Sequence, residues 1–351
     1  MAPRRQIVFA NSVDYARHTG GWVYNARVMR ELAALGWDVV PLDLPAGFPR
    51  PGVVAKAQAE RLLAALDDGA LVMADQICLS PIAEIATREA QRLRLVMIFH
   101  HPIARENGLS DADRALFADQ ERCALAACRS VVASSPSTAG ALVADYGVEP
   151  GRIVVAQPGI ERLAPSPIKD SGVPLMLSVG AVIPRKGYHL LIEALAALRD
   201  EPWRLDIVGD LDRAPEYVAE LRQQVDRLGV GDRVKLEGGL SEVDLAAKWR
   251  AVHMYVAASL HEGYGMAVAE AIARGLPTVT TSAGAVGDWL DPDAAVIVPD
   301  DQPEALRTAL ARVLAEPELR TKLRTGALRQ ASRFPSWPDA ARAVHERLVQ
   351  L

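Results

Sequence analysis

A chain of 351 residues, half of them apolar and 5% aromatic, with a formal net charge of −5, has the make-up of a soluble globular protein and excludes a disordered or extended one. Its length exceeds what one open sheet usually carries, so two domains with separate cores are expected. The acidic balance asks for no nucleic-acid partner, and no apolar stretch reaches the roughly 20 residues of a membrane span or the form of a leader, so a cytoplasmic protein touching a membrane only at its surface is expected.

Short β-branched runs alternate with Ala/Leu/Arg-rich stretches from end to end, the pattern of parallel sheets covered on both faces. In the first half, Gln6 to Ala10, Asp38 to Leu42, Ala70 to Ala74, Leu93 to Phe99, Ser130 to Ser134 and Arg152 to Ala156 read as strands. With intervening helices they make one doubly wound domain over 1–157. The polar loop NSVDYARHTGG after the first strand ends in Gly20 and Gly21, where two glycines permit close approach to a pyrophosphate or sugar and a helix start supplies amide donors. No GxGxxG is present, which argues against a dinucleotide oxidoreductase. His100 and His101 follow the fourth strand, where an open α/β sheet presents side chains to its crevice; no third ligand is suggested beside them, so a metal pair is disfavoured. Ser134 and Ser135 end the fifth strand, facing that crevice or, for Ser135 before Pro136, capping a helix. Arg88, Arg92 and Arg94 carry the charge to face an anionic lipid surface, but Glu84 and Glu89 are interleaved with them, the pattern of a solvated helix face. Cys78, Cys123 and Cys128 stand in apolar surroundings without a CxxC, which predicts reduced core thiols.

Prolines and glycines break the rhythm over 158–173, which reads as a linker. A second domain over 174–332 repeats the plan, with strands at Pro174 to Val179, Trp203 to Val208, Arg233 to Glu237, Val252 to Ala257, Pro277 to Thr281 and Ala294 to Val298. Helices are expected at Tyr188 to Leu198, Ser241 to Trp249 with Ser241 as cap, Ala267 to Ala273, Pro303 to Leu314 and Glu318 to Ser332. Residues 333–351 are cut off by Pro335 and Pro338 and then read as an amphipathic helix that crosses back to the first domain. The most informative segment is HEGYGMAVAEAIARGLPTV. Amides freed at the helix start by Gly263, Gly265 and Met266 can hold an anion, and the carboxylates of Glu262 and Glu270 on either side can accept hydroxyl groups. An anion flanked by hydroxyls describes a nucleotide sugar. Arg185 and Lys186, just beyond the first strand of this domain, suit such a ligand, because two cations stabilise the negative charge left on the diphosphate. Gly209 and Asp210 end the next strand, where a base or ribose would sit, although Asp210 can equally cap the following segment.

The GG turn, the HH pair, the PGIE segment, SVGAVIPRKGYHLLIEAL, LDIVGD and above all EGYGMAVAEAIARGLPTV together resemble the retaining glycosyltransferases of family 4, over nearly the whole chain. The resemblance implies the GT-B fold, two Rossmann-like domains facing a cleft, with an acceptor-side first domain and a nucleotide-sugar donor domain second. It implies transfer of a hexose from a UDP or GDP sugar, without a catalytic metal, to a hydroxyl of a glycan, lipid or small molecule, with retention of configuration. It assigns His100 to the donor sugar with His101 close behind, Lys186 to the diphosphate, Glu262 to the transferred sugar, Glu270 to the ribose hydroxyls, and Gly20, Gly21, Gly265, Met266 and Ala267 to donor contacts. Arg105 and Glu106 are candidates to select the acceptor. The arginine usual in the family directly after the VG pair is Ala181 here, so either Arg185 supplies the guanidinium or the donor is gripped differently.

Retention without a second placed nucleophile implies front-face attack, with double displacement as the alternative. Synthesis of a cell-surface polysaccharide or glycolipid is the leading expectation. The alternatives are a phosphorolytic or synthase-like relative and a non-catalytic nucleotide-sugar binding protein.

Overall fold

The computed structural model describes residues 5–16, 19–106, 109–167 and 172–351. Arg17 and His18 of the polar loop and residues 168–171 of the expected linker lie outside the described residues. The strands are Gln6–Ser12 (β1), Asp38–Leu44 (β2), Leu71–Asp75 (β3), Arg94–Phe99 (β4), Ser130–Ala133 (β5), Ile153–Val155 (β6), Leu175–Val179 (β7), Arg204–Val208 (β8), Val234–Gly238 (β9), Met254–Ala257 (β10), Thr278–Thr281 (β11) and Ala295–Val298 (β12). Each overlaps its predicted run, with ends differing by at most two residues.

The chain divides into two compact units, Met1–Gly159 with Pro335–Leu351, and Ile160–Phe334. Each holds one six-stranded sheet, ordered β2-β1-β3-β4-β5-β6 in the first and β12-β11-β10-β7-β8-β9 in the second. All pairings are parallel. Parallel central strands are covered on both faces, which is why β3, β5 and β10 are buried along their whole length and are apolar but for Asp75 at the end of β3 and Ser130 at the start of β5. Strand order reverses between β1 and β3 in the first unit and between β7 and β10 in the second. Open α/β sheets take their ligands at such switch points, outside the carboxyl ends of the strands. Both candidate clusters described below stand at these ends.

The last helix, Trp337–Leu348, belongs to the first unit and packs on the helix Gly20–Ala34. Trp337, Ala340, Ala341, Val344 and Leu348 form its buried stripe at helical spacing. Pro338, expected ahead of this helix, lies instead in its first turn, where a missing amide hydrogen costs nothing; Ser336 caps the helix with Asp339 in a reciprocal box. A side chain at Gly159 would come within 2.1 Å of the Trp337 amide nitrogen, so only glycine permits this approach. Trp37 Nε1 donates to His345 Nδ1 at 2.9 Å and Arg347 Nε to Ser130 Oγ at 2.8 Å, tying the helix end to β5 and to the turn before β2.

Cys78 and Cys128 are buried thiols, but Cys123 is exposed, against expectation. On the helix Asp111–Ala127 the inward stripe is Phe117, Glu121, Ala124 and Leu125, so position 123 falls on the outer face. Among the described residues no helix is long and apolar enough to cross a membrane.

Trp337→Ala removes the largest buried side chain of the last helix and is expected to destabilise the first unit by roughly 3–5 kcal/mol, read as a lowered denaturation midpoint at unchanged slope.

Candidate functional site

In the second unit the loops after β7 and β10 are sewn together. Leu260 N donates to the Arg185 carbonyl at 2.8 Å, and Gly187, at φ +63°, lies where a Cβ would stand 1.9 Å from the Ala258 carbonyl oxygen. This brings Lys186 Nζ to 2.6 Å from Glu262 Oε1. Ser259 Oγ donates to the same oxygen at 2.7 Å. Arg185 donates to the His261 carbonyl at 2.6 Å and its guanidinium lies 3.6 Å from Glu262 Oε2. Burial alone would raise the Glu262 pKa, but Lys186, Arg185 and the Ser259 hydroxyl outweigh it and hold the carboxyl down at about 2. The glutamate main chain is fixed as well, since its carbonyl accepts from Ala285 N at 3.0 Å.

Gly265 follows at φ +88°, a conformation open to glycine, and starts the helix Met266–Ala273. Met266, Ala267 and Glu270 are half-buried on its first two turns. Trp289 stacks on Tyr264 at 5.3 Å and donates to its carbonyl at 2.7 Å, which braces the turn. Gly209 is needed for close packing, since a Cβ there would lie 1.9 Å from the Gly180 carbonyl oxygen. Asp210 turns its own loop by accepting from Asp212 N at 2.8 Å. Lys186, expected from sequence to be a charge open to the donor, is largely covered and bound to Glu262; Arg185 is likewise held by protein groups.

In the first unit the carboxyl ends of β3 and β4 meet the helix that Gly20 and Gly21 open. His100 Nε2 lies 3.2 Å from both Asn25 Oδ1 and Asp75 Oδ2, with its ring edge-on to Tyr24 at 5.2 Å. The His100 carbonyl accepts from Ser134 Oγ and Thr138 Oγ1 at 3.2 and 3.3 Å. Asp75 is fully buried; burial works against its charge, but His100 and the hydrogen bonds from Ile77 and Asn25 leave its pKa lowered. His101 Nε2 pairs with Glu106 Oε1 at 2.6 Å, and Arg105 pairs with Asp145. Ser135 is the buried cap of the helix Pro136–Ala144, accepting from Thr138 N at 3.0 Å, so of the two readings the capping one describes it.

Sequence alone does not single out four residues of this cluster: Asn25, Asp75, Gln76 and Glu121. Glu121 is buried, accepts from Ile103 N and Tyr146 OH at 2.6 Å each, and is pushed up to about 7 by burial, against the pull of those hydrogen bonds. The DQ pair closing the run ALVMADQ is the available signal, an acidic and an amide side chain at a strand end. Nothing marks Glu121 in a helix rich in charge. Arg88 pairs with Glu60, Arg92 with Asp68 and Glu89, and Arg94 donates to the Gly69 carbonyl. Among the described residues no three His, Cys, Asp or Glu gather as a metal-binding group.

Two family descriptions match consecutive segments: "Glycosyltransferase Family 4" over residues 47–162 and "Glycosyl transferases group 1" over residues 159–330. An MMP alpha-(1->4)-mannosyltransferase of Mycolicibacterium hassiacum is 27% identical, over 87% of this chain and 77% of that protein. A D-inositol 3-phosphate glycosyltransferase of Xylanimonas cellulosilytica is 32% identical, over 66% of this chain and 59% of that protein. Of the curated relatives it matches, the chain thus spans about three quarters of one and under two thirds of the other. Among solved structures, a sucrose-phosphate synthase from Thermosynechococcus elongatus superposes with a TM-score of 0.83 at 19% identity, covering 99% of both chains. The Anabaena protein HepE in complex with UDP-glucose gives 0.78 at 18% identity, over 99% of this chain and 100% of that one.

Lys186→Met strips the nearest cation from a buried carboxylate and is expected to cost about 3–5 kcal/mol, measured by chemical denaturation, with Lys186→Arg recovering part of the loss. The pH dependence has two limbs of opposite sign. Glu262 titrates lower in the folded chain than its ordinary 4.5, so its contribution is complete above that value and is lost as pH falls towards about 2. Glu121 titrates higher, so stability falls as pH rises from about 4.5 to about 7; Glu121→Gln should flatten that second limb alone in denaturation curves taken across this range.

Proposed function

For a chain that belongs with the GT-B glycosyltransferases related to family 4, we propose transfer of a hexose from a nucleotide diphosphate sugar to a hydroxyl, with retention of configuration. The observation that carries this reading is the ionised Glu262 held by Lys186 and Arg185 directly before a glycine-started helix. In it the second unit takes the donor. The amides of Gly265, Met266 and Ala267 hold the phosphates, Glu270 accepts the ribose hydroxyls, and Gly209 and Asp210 border the base. Lys186 divides its charge between Glu262 and the diphosphate, and the diphosphate draws on it more as the leaving group gains charge. Glu262 supports the positive charge that builds at the anomeric carbon.

The sugar–phosphate oxygen bond breaks while the acceptor oxygen bonds to the same face of the anomeric carbon. The departing phosphate oxygen takes the acceptor's proton. His100 in the first unit binds a hydroxyl of the transferred sugar, and His101, Arg105 and Glu106 border the acceptor. Names of relatives and neighbours such as D-inositol 3-phosphate glycosyltransferase and sucrose-phosphate synthase add polyol and sugar phosphates to the acceptor classes worth assaying beside glycans and lipids. A cytoplasmic location follows from use of a nucleotide sugar, and the inner membrane face enters only where a lipid carries the acceptor hydroxyl, since Arg88, Arg92 and Arg94 are engaged within the chain.

A panel of UDP and GDP hexoses should contain one that raises thermal stability, by about 2.7 kcal/mol at a hundredfold excess over Kd, and that releases nucleotide in the presence of EDTA. With an α-linked donor the product should be α, read from the one-bond C–H coupling at the anomeric carbon; a β product would demand a base opposite the leaving group. Glu262→Gln should lower kcat more than donor affinity, and Glu270→Gln the reverse; equal effects on both would refute that division of roles.

A further inference from the structure

Two consecutive buried residues at the end of β3, Asp75 and Gln76, touch different parts of the His100–His101 segment. Asp75 is ionised and can only accept hydrogen bonds, so Asn25 presents Nδ2 to Asp75 Oδ2 at 2.6 Å and its oxygen to His100. His100 Nε2 then faces two acceptors at 3.2 Å, Asn25 Oδ1 and Asp75 Oδ2, and must carry the hydrogen. Gln76 serves the main chain: its Oε1 accepts from His100 N at 2.7 Å and His101 N at 3.3 Å, and its Nε2 donates to the His101 carbonyl. Turning this amide round would set like against like at every contact, so its orientation is determined. The His100 carbonyl already accepts two hydroxyls, from Ser134 and Thr138, which fills its lone pairs. The ring nitrogen outside all these pairings is Nδ1.

We infer that Asp75 is a positioning residue that fixes neutral His100 as the Nε2–H tautomer, so that the Nδ1 lone pair accepts a hydrogen from a hydroxyl of the donor sugar, with Gln76 holding the main chain beneath it. The inference rests on the reading of the chain as a hexosyltransferase, and it narrows the role of His100 to its ring. An acceptor nitrogen selects a hydroxyl and not a phosphate, which separates the chemistry of this cluster from that of Lys186.

Two-bond proton–nitrogen NMR spectra of the full chain with labelled histidine, at a pH above the imidazole range, decide the tautomer without any substrate. His100→Gln assigns the signal among the seven histidines. The wild type should show His100 as Nε2–H, and an Nδ1–H pattern overturns the inference. Asp75→Asn is nearly isosteric and keeps an oxygen for Ile77 N; it should shift His100 towards the other tautomer and lower kcat for nucleotide release at least about tenfold, with donor KM within about threefold. An unchanged tautomer or a kcat within about twofold of wild type in this variant overturns the inference while the wild-type turnover leaves the transferase reading standing. A wild type that releases no nucleotide from any UDP or GDP hexose defeats the transferase reading and the hydroxyl role with it.

Discussion

The ion pair between Lys186 and Glu262 is the interaction on which the second unit's site depends. A carboxylate taken out of water is costly unless a cation and hydrogen-bond donors replace the lost solvation. Here Lys186, Arg185 and Ser259 do so together. Their convergence requires the loops after β7 and β10 to touch, and they touch only because Gly187 has no side chain to strike the Ala258 carbonyl. Those two strands are neighbours only because the strand order reverses between them. Topology, a glycine and a charge pair are thus one constraint seen at three scales.

The first unit meets a different demand with the same logic. The segment after β4 is largely buried, and its main-chain groups must find partners inside the protein. Gln76 and Glu121 supply them from the end of β3 and from the helix Asp111–Ala127, while Asp75 and Asn25 orient the His100 ring. One cluster is therefore built around an ionised glutamate and its cations, the other around an imidazole and its acceptors. On the function proposed above, the first would meet phosphate charge and the second sugar hydroxyls, the two kinds of group that a nucleotide sugar carries.

How much of this could be read beforehand follows from what each residue does. Buried parallel strands are largely apolar runs, so β3, β4 and β10 announce themselves, and the glycine-rich segment before Met266–Ala273 marks the turn that starts this helix. Glu262 and Lys186 stand out through their motifs, but their mutual pairing does not, because 76 residues separate them in sequence and only the fold makes them neighbours. Asp75, Gln76 and Asn25 act through contacts with no local periodicity. Glu121 is one charge among many along its helix, and only its partners Ile103 and Tyr146 explain why this carboxyl is buried. Cys123 shows the converse error: apolar neighbours in sequence are not neighbours across a helix, and its side chain faces outward.

Everything in the second unit's cluster turns on Glu262 being a buried carboxylate kept charged by its cations. Carbon-13 NMR of the protein labelled at glutamate side-chain carboxyls, with Glu262→Gln for assignment, measures this directly. The Glu262 signal is expected to stay at its ionised position as pH is lowered and to turn over only near 2. A midpoint at or above the ordinary 4.5 would mean that burial outweighs Lys186 and Arg185 and that the pairing does not keep Glu262 charged.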